Sequence, residues 1–233
     1  MELEIAGIPV KIVKKDIKNM HLYVKPPDGH VEVSAPQHLA DESIAMFIRT
    51  RVGWIKKQQE KYREQPRQTI REYVSGETLY VWGKQYFLQV EYSNRGNAVN
   101  LSGNKAILTV RQGSTPQQRE SFVNEWYREL LKAEIEKRLP KWESVTGLYC
   151  SGWQTKYMTT RWGTCNIKTG KIWINLQLAK KPYMCLDYVI LHELSHLRVK
   201  DHGAAFIAIL DEYMPYWREV KKQLNDSILD FYH

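Results

Sequence analysis

The residues best suited to chemistry are five consecutive positions late in the chain, His192-Glu193-Leu194-Ser195-His196. Four residues turn an α-helix by about 400°, so the two histidines lie on one helix face and can hold the same metal ion. Glu193 is adjacent to the first histidine, where its carboxylate can accept a proton from water that a bound zinc ion has made more acidic. The pattern therefore indicates a zinc-dependent hydrolase.

The surroundings of this motif favour a metal site over a chance arrangement. Tyr188-Val189-Ile190-Leu191 and Leu194 are mostly apolar and have helical spacing, which predicts a largely buried helix that starts near Pro182. Unpaired imidazoles on a buried helix would be costly, because burial removes their hydrogen bonds to water. A metal ion would satisfy both histidines.

A third ligand is needed, because catalytic zinc usually has three protein ligands and one open position. His202 follows His192 by ten residues, which on one continuous helix would separate the two by about 15 Å along the axis. We therefore expect the helix to end within 198–201, with Asp201 capping the next helix and Gly203 easing a close approach. His202 would then turn back toward the same ion.

Several other side chains are open candidates for a role at this site. Glu212 and Glu219 lie downstream at distances where other zinc peptidases place a glutamate ligand, and Asp211 could orient a ligating histidine. Arg161 could bind a carboxylate or phosphate of the substrate. Cys165 could be a fourth ligand, which would close the site and make the metal structural.

The elements that must position these residues begin with a β-rich region. Alternating apolar and polar residues predict short antiparallel strands before residue 34 and hairpins over 78–111. Between them, 40–65 has apolar residues at helical spacing, with Asp41 as a cap and Pro66 as the end. No internal repeat is recognisable in the sequence.

A shift in composition near Gln112 predicts a boundary, which gives a β-rich domain with one helix over 1–112 and a metal-binding domain over 113–233. The second domain starts with a long helix from Pro116 to about Lys137, capped by Thr115. Strands over 151–160 and 171–178, joined by a turn at 166–170, predict a small antiparallel sheet ahead of the metal helix. Two helices divided by Pro215 follow, and the second reaches about Ile228. The fold class is α+β.

Composition limits the classes of function. No apolar run is long enough to cross a membrane, and the first residues lack the layout of a signal peptide, so the cytoplasm is the expected location. Three widely spaced cysteines favour reduced thiols over a disulfide framework. The net charge of +8 permits attraction to polyanions, but no motif indicates specific nucleic-acid binding.

Several short motifs, in order, resemble one known family far more specifically than the zinc motif alone. They are Arg161-Trp162-Gly163-Thr164-Cys165, Ile174-Asn175-Leu176, Asp187-Tyr188-Val189, the five residues of the zinc motif, His202 and Phe206. Together they resemble the YgjP-like metallopeptidase-domain family. The resemblance implies a zincin-like core with His202 as the third ligand. By analogy with zincin-like folds, the strand that includes 172–178 is expected to pair with an extended peptide.

Three functions fit these observations. The first is a zinc metallopeptidase in which Glu193 assists the attack of water on a peptide bond of a peptide or protein substrate. The second is a metal-dependent nucleotide pyrophosphatase or phosphohydrolase, which the basic composition and Arg161 would favour. The third is a non-enzymatic module with a structural zinc ion, which would require a fourth protein ligand.

Overall fold

The chain forms two compact units in the computed structural model, which describes residues 2–25, 28–64 and 71–226. The units comprise residues 1–69 and 70–232 and have separate hydrophobic cores. The division therefore lies earlier than the boundary that composition suggested after residue 112. The physical reason is that the strands before residue 112 bury Leu88 and Leu108 in one core with Val123 and Leu131 of the following long helix.

The first unit is a mixed four-stranded sheet covered by two helices. The strands are β1 (Glu2–Ile5), β2 (Ile8–Lys15), β3 (His21–Lys25) and β4 (His30–Pro36), in the order β1-β2-β4-β3. The central pair, β2 and β4, is parallel, so the expectation of purely antiparallel strands is wrong.

Two helices, α1 (Asp41–Arg49) and α2 (Val52–Glu64), replace the single helix expected over 40–65. The break falls where Thr50 and Arg51 both donate side-chain hydrogen bonds to the Phe47 carbonyl, at 2.9 and 3.1 Å. Asp41 is the first helical residue and not the cap, which is Ala40. Pro66, the expected end, lies outside the described residues.

The second unit opens with another four-stranded sheet of the same layout. Its strands are β5 (Thr78–Val81), β6 (Lys84–Tyr92), β7 (Ala98–Ser102) and β8 (Lys105–Val110), in the order β5-β6-β8-β7. Here too the central pair is parallel and the outer pairs are antiparallel. The chain thus contains a repeat of topology that the sequence did not reveal.

The first hairpin of each sheet turns in the same way. Ala6 and Gly7 have φ angles of 53° and 76°, and Trp82 and Gly83 have 50° and 82°. Positive φ at both central residues is typical of the tight turn that matches the twist of the flanking strands. The tip of the second hairpin contacts the segment that precedes the zinc motif, because the Trp82 and Gly83 amides donate to the carbonyls of residues 179 and 180 at 2.9 and 3.2 Å.

A long helix, α3 (Pro116–Thr146), follows the second sheet. Thr115 caps it as expected, in a reciprocal pair with Gln118, and Pro116 occupies the first turn. The helix continues past the expected end at Lys137, and Gly147 ends it with a φ of 68°. Its buried side chains join the core of the second unit.

The rest of the unit consists of a small sheet and three α-helices. The elements are β9 (Gly152–Lys156), β10 (Gly163–Asn166), β11 (Lys171–Asn175), a 3₁₀ helix (Leu176–Lys180), α4 (Tyr183–Ser195), α5 (Ala204–Tyr213) and α6 (Trp217–Asp226). The strand order is β10-β11-β9, with β11 parallel to β9 and antiparallel to β10. The expected antiparallel pair of strands is therefore wrong, because 163–166 forms a strand of its own that takes the hairpin position beside β11.

The mixed sheets and surrounding helices confirm the α+β class. The expected extension of the last helix to Ile228 lies outside the described residues. Among the helices that the structure describes, none has the length and apolarity needed to cross a membrane.

Candidate metal centre

Helix α4 carries His192 near its end, and His196 is the residue that caps it. Most of the helix is buried, including Ile190, Leu191 and Leu194, so the histidines are held on a fixed scaffold. Beyond His196 the chain turns tightly, with the Val199 amide donating to the carbonyl of Ser195 at 2.9 Å. This turn lets the following residues come back toward the helix.

The three predicted histidines converge. Their candidate ligand nitrogens all lie within 4.8 Å of one another, and the Nε2 atoms of His192 and His202 are 3.1 Å apart. Two nitrogens that each lie about 2.0 to 2.1 Å from one tetrahedral zinc ion would be separated by about 3.3 Å. The spacing of His192 and His202 therefore suits ligands of a single ion.

The ring orientations fit the same role. The Nδ1 of His196 lies 3.1 Å from the Val199 carbonyl, which can only accept, so Nδ1 carries the proton and Nε2 keeps its lone pair. The Nδ1 of His192 is buried and has no hydrogen-bond partner among the described residues. Burial lowers the pKa of His192 to about 3, with the charges of His196 and His202 adding to the effect. His192 is thus held in the neutral form that binds metal.

Phe206 forms the apolar side of the histidine cluster. Its ring centroid lies 4.9 Å from that of His192 and 4.8 Å from those of His196 and His202, and the side chain is only 2% exposed. Phe206 belongs to α5, which Gly203 precedes as the N-cap without a side-chain hydrogen bond, so Asp201 does not cap it. The packing of one buried ring against all three imidazoles fixes their positions.

Glu193 lies beside the cluster in an almost closed environment. Its side chain is 4% exposed, and burial raises its pKa to about 8, with the charge of Arg161 opposing the rise. A Cβ atom at Gly163 would lie 2.5 Å from the Glu193 Oε1 atom. Only glycine at the start of β10 leaves room for this carboxylate.

Asn175 holds the segment that contains Arg161. Its side-chain amide donates to the carbonyls of Met158 and Arg161 at 2.8 and 2.6 Å, and its oxygen accepts from the Gln177 amide at 3.1 Å. Asn175 is completely buried. Sequence reasoning included it only as part of the family pattern and missed this role. A polar residue between apolar residues at the end of a strand was the available signal.

Asp187 links the metal helix to α3. It accepts hydrogen bonds from the Arg138 guanidinium at 2.6 Å and from the Trp142 indole at 3.0 Å. Both partners lie on α3, while Asp187 lies on α4, five residues before His192. The sequence alone did not predict this link, because Arg138 and Trp142 lie 49 and 45 positions before Asp187 in the chain.

A cleft of about 510 Å³ opens onto the cluster. Besides His192, Glu193, His196 and His202, its lining includes Arg161, Trp162, Gly163, Thr164, Cys165, Tyr188, Lys200, Lys221 and Leu224. Cys165 therefore lies in the cleft, but the group of side chains that could hold one metal ion contains only the three histidines. Burial raises the pKa of the Cys165 thiol to about 11, and the charge of Glu193 adds to the effect. Within the described residues, the cluster at the cleft therefore offers three candidate ligands, all of them imidazoles.

The downstream acidic candidates are not part of this group. Asp211 accepts from the Trp217 indole at 2.8 Å and pairs with Arg218, so the expectation that it orients a histidine is wrong. Glu212 and Glu219 are exposed and do not join the three histidines.

Comparison with known proteins identifies the family. The model of the YgjP-like metallopeptidase domain matches residues 18–227. The chain belongs to that family. Membership supports a metal-dependent hydrolase with a divalent metal and a peptide or protein substrate. No curated protein sequence matches the chain.

Two solved structures show a distant likeness to part of this YgjP-like chain. One is the metallopeptidase zymogen abylysin of Pyrococcus abyssi, with 16% identity and a TM-score of 0.37, covering 40% of this chain and 92% of that one. The other is the metallopeptidase zymogen jannalysin of Methanocaldococcus jannaschii, with 22% identity and a TM-score of 0.36, covering 40% and 94%.

Proposed function

We propose that the protein is a zinc-dependent metallopeptidase in which His192, His196 and His202 hold the metal and Glu193 is the general base. The observation that carries the proposal is the convergence of three imidazoles, with a carboxylate beside them, at a cleft that supplies no fourth ligand among the described residues. Three nitrogen ligands and an open position are typical of catalytic zinc, whereas structural zinc is usually enclosed by four protein ligands.

The residues divide the reaction between them. Zinc, when bound, would polarise the peptide carbonyl and lower the pKa of water. The Glu193 carboxylate accepts a proton from the attacking water and passes it to the leaving amine nitrogen. Its pKa of about 8, raised by burial, makes it ready to hold that proton between the two transfers. Arg161 opposes this rise only in part, so the charge of a bound metal ion beside Glu193 would be what favours the ionised form that starts the cycle.

An extended peptide would bind along β10. This strand lies at the edge of its sheet, whereas β11 is in the centre with both neighbours paired. The earlier expectation for 172–178 is therefore replaced, because a central strand has no unpaired backbone groups to offer. Gly163, Thr164 and Cys165 of β10 line the cleft, so a peptide added to this edge would pass the histidines.

The proposal is tested with Glu193→Gln and His202→Ala, using Glu212→Gln as a matched control at an exposed glutamate. Peptide mixtures and an unfolded protein serve as substrates, and zinc content is measured on each variant. Glu193→Gln should retain zinc and lose about 10²- to 10⁴-fold in kcat. His202→Ala should lose zinc, and the control should match the wild type.

Nucleoside triphosphates are included as a competing substrate class. Turnover of triphosphates alone, abolished in Glu193→Gln, would overturn the peptidase proposal. Full peptide cleavage by Glu193→Gln would remove Glu193 from the proposed mechanism.

A further inference from the structure

Three cations line the cleft from three different parts of the fold. Arg161 precedes β10, Lys200 lies between α4 and α5, and Lys221 lies on α6. The only carboxylate in the described lining is Glu193, which is buried beside the histidines. The accessible charge of the lining side chains is therefore positive, and the nearest acidic neighbour in the sequence is the exposed Asp201, between Lys200 and His202.

These cations are not paired with acidic side chains of the described residues, and the Nζ atom of Lys221 lies 5.6 Å from the centroid of the Trp217 ring. None of the three makes an ion pair with any residue in the described ranges, although other basic residues of the same unit do. Arg128 pairs with Glu125, Arg138 with Asp187, and Arg218 with Asp211. A cation without a counter-ion in a cleft attracts negative groups of a ligand, because the low-dielectric walls concentrate its field.

The cations share one cleft with the proposed metal site. Arg161, Lys200 and Lys221 line the same cleft as His192, His196 and His202. Arg161 is also fixed in position at its backbone, where its carbonyl accepts the 2.6 Å hydrogen bond from Asn175. Negative groups held by these cations would thus lie near the bond to be cleaved.

We infer that the cleft selects peptides with aspartate or glutamate side chains close to the scissile bond, bound by Arg161, Lys200 and Lys221. Trp162, Tyr188 and Leu224 supply apolar walls for the neighbouring side chains of such a peptide. The cleavage preference rests on the proposed peptidase function, whereas the preference in binding does not require cleavage.

The first experiment compares three peptides that differ only in having glutamate, glutamine or lysine on both sides of the same cleavable sequence. An exposed ion pair changes binding by about two- to five-fold, so three cations predict about a 10- to 100-fold higher kcat/KM for the glutamate peptide than for the lysine peptide. The difference should lie mainly in KM and shrink as ionic strength rises, because salt screens exposed charges.

Charge reversal provides the matched variants. Lys200→Glu combined with Lys221→Glu should invert the preference, whereas Lys222→Glu, an exposed neighbour outside the cleft lining, should preserve it. Equal zinc content and thermal stability of the variants would show that only the cleft charge has changed. Cleavage of all three peptides at equal rates by the wild type would overturn the inference while leaving the peptidase proposal intact.

The second experiment measures binding of the same peptides to zinc-loaded Glu193→Gln by fluorescence anisotropy. Tighter binding of the glutamate peptide, weakened by the double reversal, would support the inference even if no peptide were cleaved. Equal binding of all three peptides would overturn it. Displacement of the glutamate peptide by a nucleoside triphosphate at far lower concentration than by the unlabelled peptide would also overturn it, in favour of a phosphate ligand.

Discussion

A single methyl group added at Gly163 tests how the cleft positions Glu193. The Cβ atom of Gly163→Ala would lie 2.5 Å from the Glu193 Oε1 atom, 2.8 Å from Cγ and 2.9 Å from Cδ. Ordinary contacts start at 3.4 Å, so the oxygen must move by about 0.9 Å to accommodate the methyl group. Glu193 is 4% exposed and has little space for this movement.

The expected cost follows from that displacement. Overpacking a buried site costs about 1 to 3 kcal/mol, which for a unit of this size corresponds to a loss of about 3 to 10 °C in Tm. Misplacing a catalytic group by about 1 Å costs about 100-fold in rate, so kcat/KM for peptide cleavage should fall by about that factor. Zinc content should stay at the wild-type level, because the close contacts of the new methyl group are with Glu193 and not with a histidine.

Three quantities are measured for Gly163→Ala and for the control Gly53→Ala. They are Tm by calorimetry, zinc content, and kcat/KM for peptide cleavage. Gly53 lies in α2, where a Cβ would meet nothing within 4 Å, so alanine should be neutral or add up to about 1 kcal/mol of helix stability. Wild-type kcat/KM in Gly163→Ala would refute the reasoning, and so would an equal loss in both variants.

Three further variants test other parts of the site. His202→Ala should lose zinc after dialysis, as measured by mass spectrometry, whereas the unclustered His38→Ala should keep it. Phe206→Ala should lower the free energy of unfolding by about 3 to 5 kcal/mol in urea and weaken zinc binding, because a buried ring is removed from beneath the ligands; unchanged zinc affinity would count against its positioning role. Asp187→Asn, which keeps an acceptor but removes the charge facing Arg138, should cost about 1 kcal/mol, since the pair is partly exposed; an unchanged urea midpoint would contradict this.

Most features of the histidine cluster could be predicted from residues that lie close together in the sequence. Helical geometry puts His192 and His196 on one face of the helix. His202 could reach the same ion only if the helix ended between His196 and His202. The capping pair at Thr115 and Gln118 was also readable, because it depends on residues close in sequence. These features need only the spacing of neighbouring residues.

The features that sequence reasoning missed depend on residues far apart in the chain. Nothing local indicates that Asp187 pairs with Arg138, or that Asn175 binds the backbone at Met158 and Arg161. The parallel pairing of β9 with β11 is another such case, because register between distant strands is set by the assembled sheet. Gly163 belongs to one of the family motifs in the sequence. The sequence alone does not show that the absence of a Cβ atom at this position leaves room for the Glu193 carboxylate.

The contact at the tip of the β5–β6 hairpin decides how the protein can be divided for experiments. Trp82 stacks on Tyr183 with ring centroids 4.5 Å apart, and a Cβ at Gly83 would lie 2.7 Å from Pro182. The hairpin tip therefore packs closely against the start of the zinc-motif helix. A fragment that began at residue 113 would lack this packing contact and would expose the face of α3 that the second sheet covers. An expression fragment intended to retain the metal site should therefore begin near residue 70.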